Sequence, residues 1–393
     1  MVGTTVRGLR APIIKEGDDI VQVTVDTILK AAEAEGYEIG DKDVVALTES
    51  IVARAQGNNA HIDAIAKDIE EKFGDKTIGL VFPILSRNRF STILSGIAKG
   101  AKKIVLMLSY PADEVGNHLV DIDELDKNNI NPWNDVLTEK QFRKLFKVTN
   151  HPFTNIDYID YYKEIIEEQN IECEIIFSND PRTILLHTKN IIACDIHSRK
   201  RTKRILRDNG GDLVYGLDDI LTRSIDGNGY NEDYGLLGSN KATAHTLKLF
   251  PRDCQEVVDK IQELIKEKTG KTIEAMVYGD GAFKDPVGQI WELADPVVSP
   301  GYTSGLEGRP SEIKLKYLAD NDFSNLQGKE LEAAISSSIK NKDGSNMEKD
   351  ESLGTTPRRI TDLLGSLCDL TSGSGDKGTP IVYVQGYFDD YTG

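Results

Sequence analysis

The 393-residue sequence predicts an α+β fold that contains an inserted α/β domain. Hydrophobic residues and glycine together make up about 48 % of the chain, a normal share for a protein with a packed core. Strand-like and helix-like runs alternate from residue 101 to residue 224, as in an α/β domain. The flanking parts are residues 1–100 and 225–393. We expect them to form one core and residues 101–224 to form the insertion.

The N-terminal part begins with a helix and a buried strand. Ile20 opens a stretch in which apolar residues recur at helical spacing, and the aspartates of Gly17-Asp18-Asp19 suit its first turn. The apolar run at residues 44–47 predicts a buried strand, and a polar connection follows it. Further along, the pattern predicts a strand at residues 78–84 and a helix at residues 90–98.

The rest of the chain continues this mixture around a turn-rich loop. Residues 226–235 have the density of turn-forming residues that is typical of a functional loop. A polar stretch at residues 341–356 predicts a mobile loop. The predicted strands are residues 103–108, 174–177, 191–194, 275–278 and 381–385, and the predicted helices are residues 156–169, 199–208, 253–269 and 359–370.

Charge and targeting signals narrow the class of protein. The formal net charge of −17 disfavours binding to nucleic acid, because the chain would repel a phosphodiester backbone. The N-terminus lacks the pattern of a secretory signal, and no apolar run approaches the roughly 20 residues that span a bilayer. We therefore expect a cytoplasmic protein. The four cysteines lie far apart without a zinc-binding pattern, which indicates reduced thiols: Cys173, Cys194, Cys254 and Cys368.

Common nucleotide and hydrolase motifs are missing. Residues 373–378 match G-x-G-x-x-G, but they follow a predicted helix and precede a strand, which is the reverse of the dinucleotide fingerprint. No Walker A loop, G-x-S-x-G elbow or H-E-x-x-H motif is present. A P-loop NTPase is therefore excluded, and hydrolase activity has no support.

The turn Gly279-Asp280-Gly281 is the most specific candidate for chemistry. It follows a predicted strand, and its glycines let the backbone and the Asp280 carboxylate approach a ligand closely. The acids Glu232, Asp233 and Asp285 could complete an oxygen-rich site for Mg²⁺ or Mn²⁺. The alternative interpretation is an ordinary turn with three solvated surface carboxylates.

Basic residues predict where an anion could bind. Arg87 and Arg89 lie between a predicted strand and a predicted helix. The run Arg199-Lys200-Arg201-Thr202-Lys203-Arg204 follows another strand end and is either a local positive patch or a solvated helix face. His197, just before that run, could act as an acid or base or only hydrogen-bond locally.

In collinear order, these segments resemble the coenzyme F420-0:L-glutamate ligase (γ-glutamyl ligase) family over more than half of the chain. Residues 6–9 and 14–20 are similar to the family's opening "V-x-G-L-P-x-I-x-x-G-D-D-L", and residues 43–57 to "D-V-V-V-V-T-x-K-I-V-S-K-A-E-G". Gly238-Ser239-Asn240, residues 249–253 and Tyr278-Gly279-Asp280-Gly281 follow in the family's order, and residues 363–385 resemble its terminal helix, turn and strand.

The resemblance implies a ligase-like core and a GTP-dependent amide ligase. Such an enzyme adds L-glutamate to a carboxylate of a cofactor such as F420-0 through an acyl phosphate, with Mg²⁺ or Mn²⁺, and forms a homodimer. Carried onto this sequence, it implies Asp280 as the catalytic residue and a metal ligand with Asp233 and Glu232. The residues expected to hold the nucleotide are Arg54, Arg87, Arg89, Asn240, Gly279 and Gly281.

The chain also departs from the family pattern at the expected site. One lysine of the family's basic segment is lost and the second is Arg54; Leu237 and Gly238 stand where an aspartate precedes "S-N", and Gly281 replaces a threonine. Three other functions remain open: a ligase for a folate-like acceptor, a catalytically silent nucleotide- or metabolite-binding protein of the same fold, and a phosphotransferase that stops at the phosphorylated acid.

Overall fold

The computed structural model describes residues 3–147, 149–151, 154–279, 297–310, 312–342, 358–372 and 375–390. In these ranges the chain is a mixed α+β protein with three sheets, which confirms the predicted fold class. The strands are β1 (Thr5–Leu9), β2 (Val44–Thr48), β3 (Asn59–His61), β4 (Thr77–Val81), β5 (Lys103–Leu108), β6 (Leu137–Thr138), β7 (Glu172–Phe177), β8 (Asn190–Ala193), β9 (Leu213–Gly216), β10 (Asn240–Lys241), β11 (Thr246–Lys248), β12 (Glu274–Tyr278), β13 (Gly301–Tyr302) and β14 (Ile381–Gln385).

The helices connect these strands and cover the sheets. They are α1 (Ile20–Glu35), α2 (Glu49–Ala55), α3 (Ile62–Phe73), α4 (Phe90–Gly100), α5 (Ile122–Lys127), α6 (Glu139–Leu145), α7 (Tyr158–Glu167), α8 (Arg199–Asp208), α9 (Cys254–Thr269), α10 (Leu315–Tyr317), α11 (Gly328–Lys340) and α12 (Ile360–Ser372). Among the described residues, no helix combines the length and the apolar character needed to cross a membrane.

The first sheet joins both ends of the chain in the order β1-β14-β2-β12-β13. Strands β2 and β12 run parallel, and the other neighbours are antiparallel. Side chains alternate across the sheet, so Val45 and Leu47 pack with helices α1 and α9 while Val44 and Ala46 pack with α12 on the other face. Helix α1 begins where the sequence predicts, because the Asp19 carboxylate accepts hydrogen bonds from the first free backbone N–H groups.

A buried carboxylate fastens the last strand of the chain to this sheet. Asp43, directly before β2, is 4 % exposed and accepts hydrogen bonds from the Tyr383 hydroxyl and from the Gly40 and Gly386 amides. The Tyr383 ring stacks on Tyr37 at a centroid distance of 5.3 Å. The C-terminal strand is therefore held by side-chain contacts as well as by its own ladder.

The second sheet has six strands in the order β6-β7-β5-β4-β8-β9. All its neighbours are parallel except β6 and β7, so the five parallel strands have the arrangement of a doubly wound α/β sheet. Strand β4 pairs with β5 on one side and β8 on the other. The boundary that we placed at residue 101 thus lies between two neighbouring strands of one sheet, and the division into domains stays a prediction.

The third sheet is small, with the order β10-β11-β3. Strand β11 pairs with β10 on one side and with β3 on the other, and β3 ends directly before α3. Helix α2 at residues 49–55 replaces the polar connection that the sequence predicted after β2. Helix α3 at residues 62–73 lies in a stretch for which we made no prediction. Helix α2 forms because Val52, Ala53 and Ala55 are buried. Most of the predicted mobile loop, from residue 343 onward, lies outside the described residues.

Candidate functional site

The carboxyl ends of the parallel strands β2 and β12 lie side by side. Thr48, the last residue of β2, pairs with Tyr278, the last residue of β12. Glu49 and Gly279 follow directly, and the Gly279 amide donates to the Val298 carbonyl at 2.8 Å. Ligands commonly bind where parallel strands end, because the following turns expose free backbone and polar groups there. This edge is therefore the geometric centre of the candidate site.

A buried ion pair lies at this edge. The Lys248 ammonium is 2.6 and 2.8 Å from the two carboxylate oxygens of Glu49. The side chains are only 13 % and 9 % exposed. Desolvation offsets most of the attraction in such a pair, so stability alone is a weak reason for its presence. Sequence analysis missed Lys248, and the only local signal for Glu49 was its place directly after a buried strand.

The small sheet places Asn240 beside this ion pair. Asn240 on β10 stands opposite Lys248 on β11 in the antiparallel ladder. Its neighbour Lys241 donates its backbone N–H to the Asn88 carbonyl at 2.6 Å. The predicted nucleotide residue Asn240 therefore lies between the Glu49–Lys248 pair and the arginine loop, which we define as residues 86–89.

Buried side chains fix the backbone at the start of the arginine loop. The buried Asp113 carboxylate accepts the Leu85 amide at 2.7 Å, and the Tyr162 hydroxyl accepts the Ser86 amide at 2.8 Å. Burial raises the pKa of the Asp113 carboxyl and of the Tyr162 hydroxyl. Arg87 is exposed and Arg89 is half-buried, where it lines a small apolar cavity with Leu236, Leu237, Gly238 and Ser239. The loop thus presents two cations next to the segment that leads into Asn240.

Arg54 lies at the end of α2, and its side chain is partly engaged. Its Nε donates to the Ile14 carbonyl at 2.5 Å, which ties α2 to the segment before α1. The residue is exposed. Its remaining guanidinium donors have no partner within the described ranges, so they stay accessible to an anion.

Glu232 and Asp233 line a separate cleft of about 300 Å³ together with Arg252, Asp253 and other residues. Both predicted metal ligands are exposed. Their loop is fixed by the buried Asn231, whose side-chain amide donates to the Phe250 and Pro251 carbonyls at 3.1 Å.

The buried thiol of Cys254 connects this cleft with the strand edge. Burial and, to a lesser extent, the negative charges of Glu49 and Asp253 raise the pKa of the Cys254 thiol to about 12. Cys254 also lines the cleft that contains Glu232 and Asp233. The cleft that contains Glu232 and Asp233 therefore lies close to the Glu49–Lys248 pair.

Carboxylates are the ligands that Mg²⁺ and Mn²⁺ prefer, which makes the cleft chemically suitable for such an ion. Within the described part of the chain, however, no three acidic, histidine or cysteine side chains are grouped closely enough to hold a metal. Asp280, Gly281 and Asp285 lie outside the described residues. The predicted metal set of Asp280, Asp233 and Glu232 therefore stays a prediction.

The basic run on α8 is largely paired within the protein. Arg199 and Lys203 lie 2.9 and 3.3 Å from the Asp218 carboxylate, and Lys203 also pairs with Asp219. Arg204 lies 3.4 Å from Asp208. These contacts favour the interpretation of α8 as a helix with solvated and intramolecular charges. The backbone amide of the exposed His197 donates to Glu114 at 3.2 Å.

The structure therefore places the arginine loop against the backbone of Lys241, next to Asn240, and Asn240 opposite Lys248 of the ion pair. Glu232 and Asp233 line the adjoining cleft. The family model described as F420-0:Gamma-glutamyl ligase matches residues 8–386. No curated protein matches the chain significantly.

Proposed function

The chain belongs to the F420-0:gamma-glutamyl ligase family, and from this membership we propose that it adds L-glutamate to a carboxylate of a cofactor such as F420-0 in a nucleotide-dependent reaction. The observation that carries the proposal is the match of the family model over nearly the whole chain. The grouping of cations with Asn240 at the carboxyl ends of β2 and β12 supports it.

We infer an acyl phosphate route with GTP as the phosphate donor. The acceptor carboxylate attacks the γ-phosphorus of GTP, so an acyl phosphate forms and GDP leaves. The amine of L-glutamate then attacks the acyl carbon, inorganic phosphate leaves, and the amine loses a proton. Both steps bring negatively charged phosphate and carboxylate groups close together. Fixed cations stabilise such charge strongly where water is excluded.

The residues of this chain would divide that work as follows. Arg87 and Arg89 would contact the anionic groups of nucleotide or acceptor, and Asn240 would hydrogen-bond the nucleotide. Lys248 would stabilise a phosphate or carboxylate, with Glu49 holding its ammonium in place. Glu232 and Asp233 would hold Mg²⁺ or Mn²⁺ together with Asp280, and the ion would neutralise charge on the phosphates. We also propose a homodimer, as the family resemblance implies.

Product analysis tests the proposal. The purified protein is incubated with F420-0, L-glutamate, GTP and MgCl₂ or MnCl₂, and the product is identified by mass spectrometry. We expect F420-0 to gain one glutamyl residue, with ATP giving less product than GTP. Leaving out glutamate and adding hydroxylamine should trap the acyl phosphate as a hydroxamate.

The same assay separates the other functions that the sequence left open. Product from a folate-like acceptor but not from F420-0 would replace the proposed acceptor. Hydroxamate without amide product at saturating glutamate would indicate a phosphotransferase. Nucleotide binding without turnover for any acceptor would indicate a silent binding protein. Sedimentation of the purified chain tests the dimer.

A further inference from the structure

A second cleft has a lining that differs from that of the cleft containing Glu232 and Asp233. It is bounded by helices α4 and α7, by the start of α3, and by the turn between β10 and β11. Its volume is about 520 Å³, which is within the range of pockets that hold small molecules. None of the residues predicted for the ligase site lines it.

Two hydroxyl groups on α4 face this cleft and have no hydrogen-bond partner among the residues that the structure describes. The hydroxyl of a serine or threonine within a helix often donates a hydrogen bond to the backbone carbonyl four residues earlier. Thr24, Thr27 and Thr269 all do so in this chain, at 2.7 Å. Thr92 and Ser95 line the cleft, and their hydroxyls make no hydrogen bond within the described part of the chain.

Thr92 is not an ordinary surface residue, because it is only 3 % exposed. Buried polar groups are nearly always hydrogen-bonded in folded proteins. The Thr92 hydroxyl lines the cleft and has no hydrogen-bond partner among the described residues, so its donor is available to a ligand or water there. The Tyr161 side chain lines the opposite wall and adds a further polar group.

The charges of the cleft favour an anion. Lys241 lines it, is exposed, and has no acidic partner among the residues that the structure describes. Its backbone is fixed by the hydrogen bond to Asn88 at 2.6 Å. Lys99, by contrast, is paired with Asp63 at 2.5 Å, and Glu168 on the far wall is the acid that an anion would have to avoid.

We propose that this cleft binds a small metabolite that carries an oxyanion, either a phosphate or a carboxylate. Lys241 pairs with the oxyanion, and Thr92 and Ser95 donate hydrogen bonds to it or to neighbouring oxygens of the same molecule. The site is independent of the proposed ligase reaction, because it uses none of the residues assigned to that reaction.

Lysine reactivity measures occupancy of this cleft directly. The full-length protein is acetylated briefly with acetic anhydride in sodium phosphate, in sodium succinate, or in sodium chloride of equal ionic strength, and modification is quantified by mass spectrometry. We expect phosphate, succinate or both to slow acetylation of Lys241 at least threefold relative to chloride. The exposed Lys102 serves as the internal control and should react equally in all three.

Two variants show whether the α4 hydroxyls take part. In Thr92→Val and Ser95→Ala, about tenfold more of the protecting anion should be needed, because each variant loses a hydrogen bond to a charged group. Protection by phosphate alone indicates a phosphorylated metabolite, and protection by succinate alone indicates a carboxylate. Equal acetylation of Lys241 in all three salts, or unchanged protection in both folded variants, overturns the proposal. Neither readout depends on ligation, so the site and the ligase reaction can fail separately.

Discussion

The ion pair between Glu49 and Lys248 allows a quantitative test of the candidate site. Removing one partner of a buried pair leaves an uncompensated charge, which costs about 3–5 kcal/mol. The side chains keep 9 % and 13 % exposure, so we expect Lys248→Met or Glu49→Gln to cost about 3 kcal/mol, at the lower end. For a chain of this size that loss lowers Tm by roughly 3–4 °C. Lys260→Met is the matched control, because the exposed Lys260–Glu256 pair should contribute less than about 1 kcal/mol.

The double variant Glu49→Gln/Lys248→Met separates stability from function. Without either charge, the site is neutral again, and we expect its Tm to return to within about 2 °C of wild type. Glutamate ligation, followed by mass spectrometry, should nevertheless fall by at least about a hundredfold, because the ammonium that we assign to charge stabilisation is gone. Recovery of both Tm and activity would refute the assignment and show that the pair is purely structural. Single variants as stable as Lys260→Met would refute the argument from burial.

Four further predictions follow from the site and the fold. Asp280→Asn should abolish ligation while Tm stays near the wild-type value, because a charge that holds a divalent cation is lost; product formation and metal titration measure this. GTP affinity, measured by calorimetry, should fall at least tenfold in EDTA. Arg87→Ala/Arg89→Ala should raise substrate KM at least tenfold with little change in Tm. Burial raises the pKa of the Asp195 carboxyl from its ordinary 3.8 to about 6, so its contribution to stability declines as pH rises through that interval, and Asp195→Asn should raise Tm at pH 8 but not at pH 4.

Each of these four has an outcome that contradicts it. Wild-type ligation or metal affinity in Asp280→Asn would make that residue a simple turn residue. Undiminished GTP binding in EDTA would remove the need for metal. A lower Tm with an unchanged KM would assign Arg87 and Arg89 a structural role. The Arg204→Ala variant, at an exposed arginine outside the candidate site, is the control. An Asp195→Asn variant whose Tm shift is the same at both pH values would show that the carboxyl does not titrate in that range.

Local sequence patterns predicted the helices and strands that have a clear apolar or charged pattern of their own. The apolar run at Lys103–Leu108, the charged helix Arg199–Asp208 and the terminal strand Ile381–Gln385 have the bounds that the sequence indicated. Helix α3 was missed although its buried Ile62, Ile65, Ile69 and Phe73 recur at helical spacing, so the signal was available.

Contacts between distant parts of the chain could not be predicted in this way. Lys248 pairs with a carboxylate 199 positions earlier, and no local pattern connects the two. The acids that neutralise Arg199 and Lys203 likewise come from the segment after β9. The family resemblance supplied the order of the segments, but the grouping of Asn240 with Glu49 and Lys248 depends on the pairing of β10 with β11.

Biosynthesis of the protein is constrained by the place of β14 in the first sheet. Strand β14, which is synthesised after all the other described strands, lies between β1 and β2, the first two described strands of the chain. Until residues 381–385 emerge, β1 has no neighbour in the described sheet, and one edge of β2 stays open. A translation product that ends before residue 381 would therefore expose unpaired strand edges. Such edges can pair with other chains and so promote aggregation. Closure of this sheet therefore requires that residues 381–385 have been synthesised.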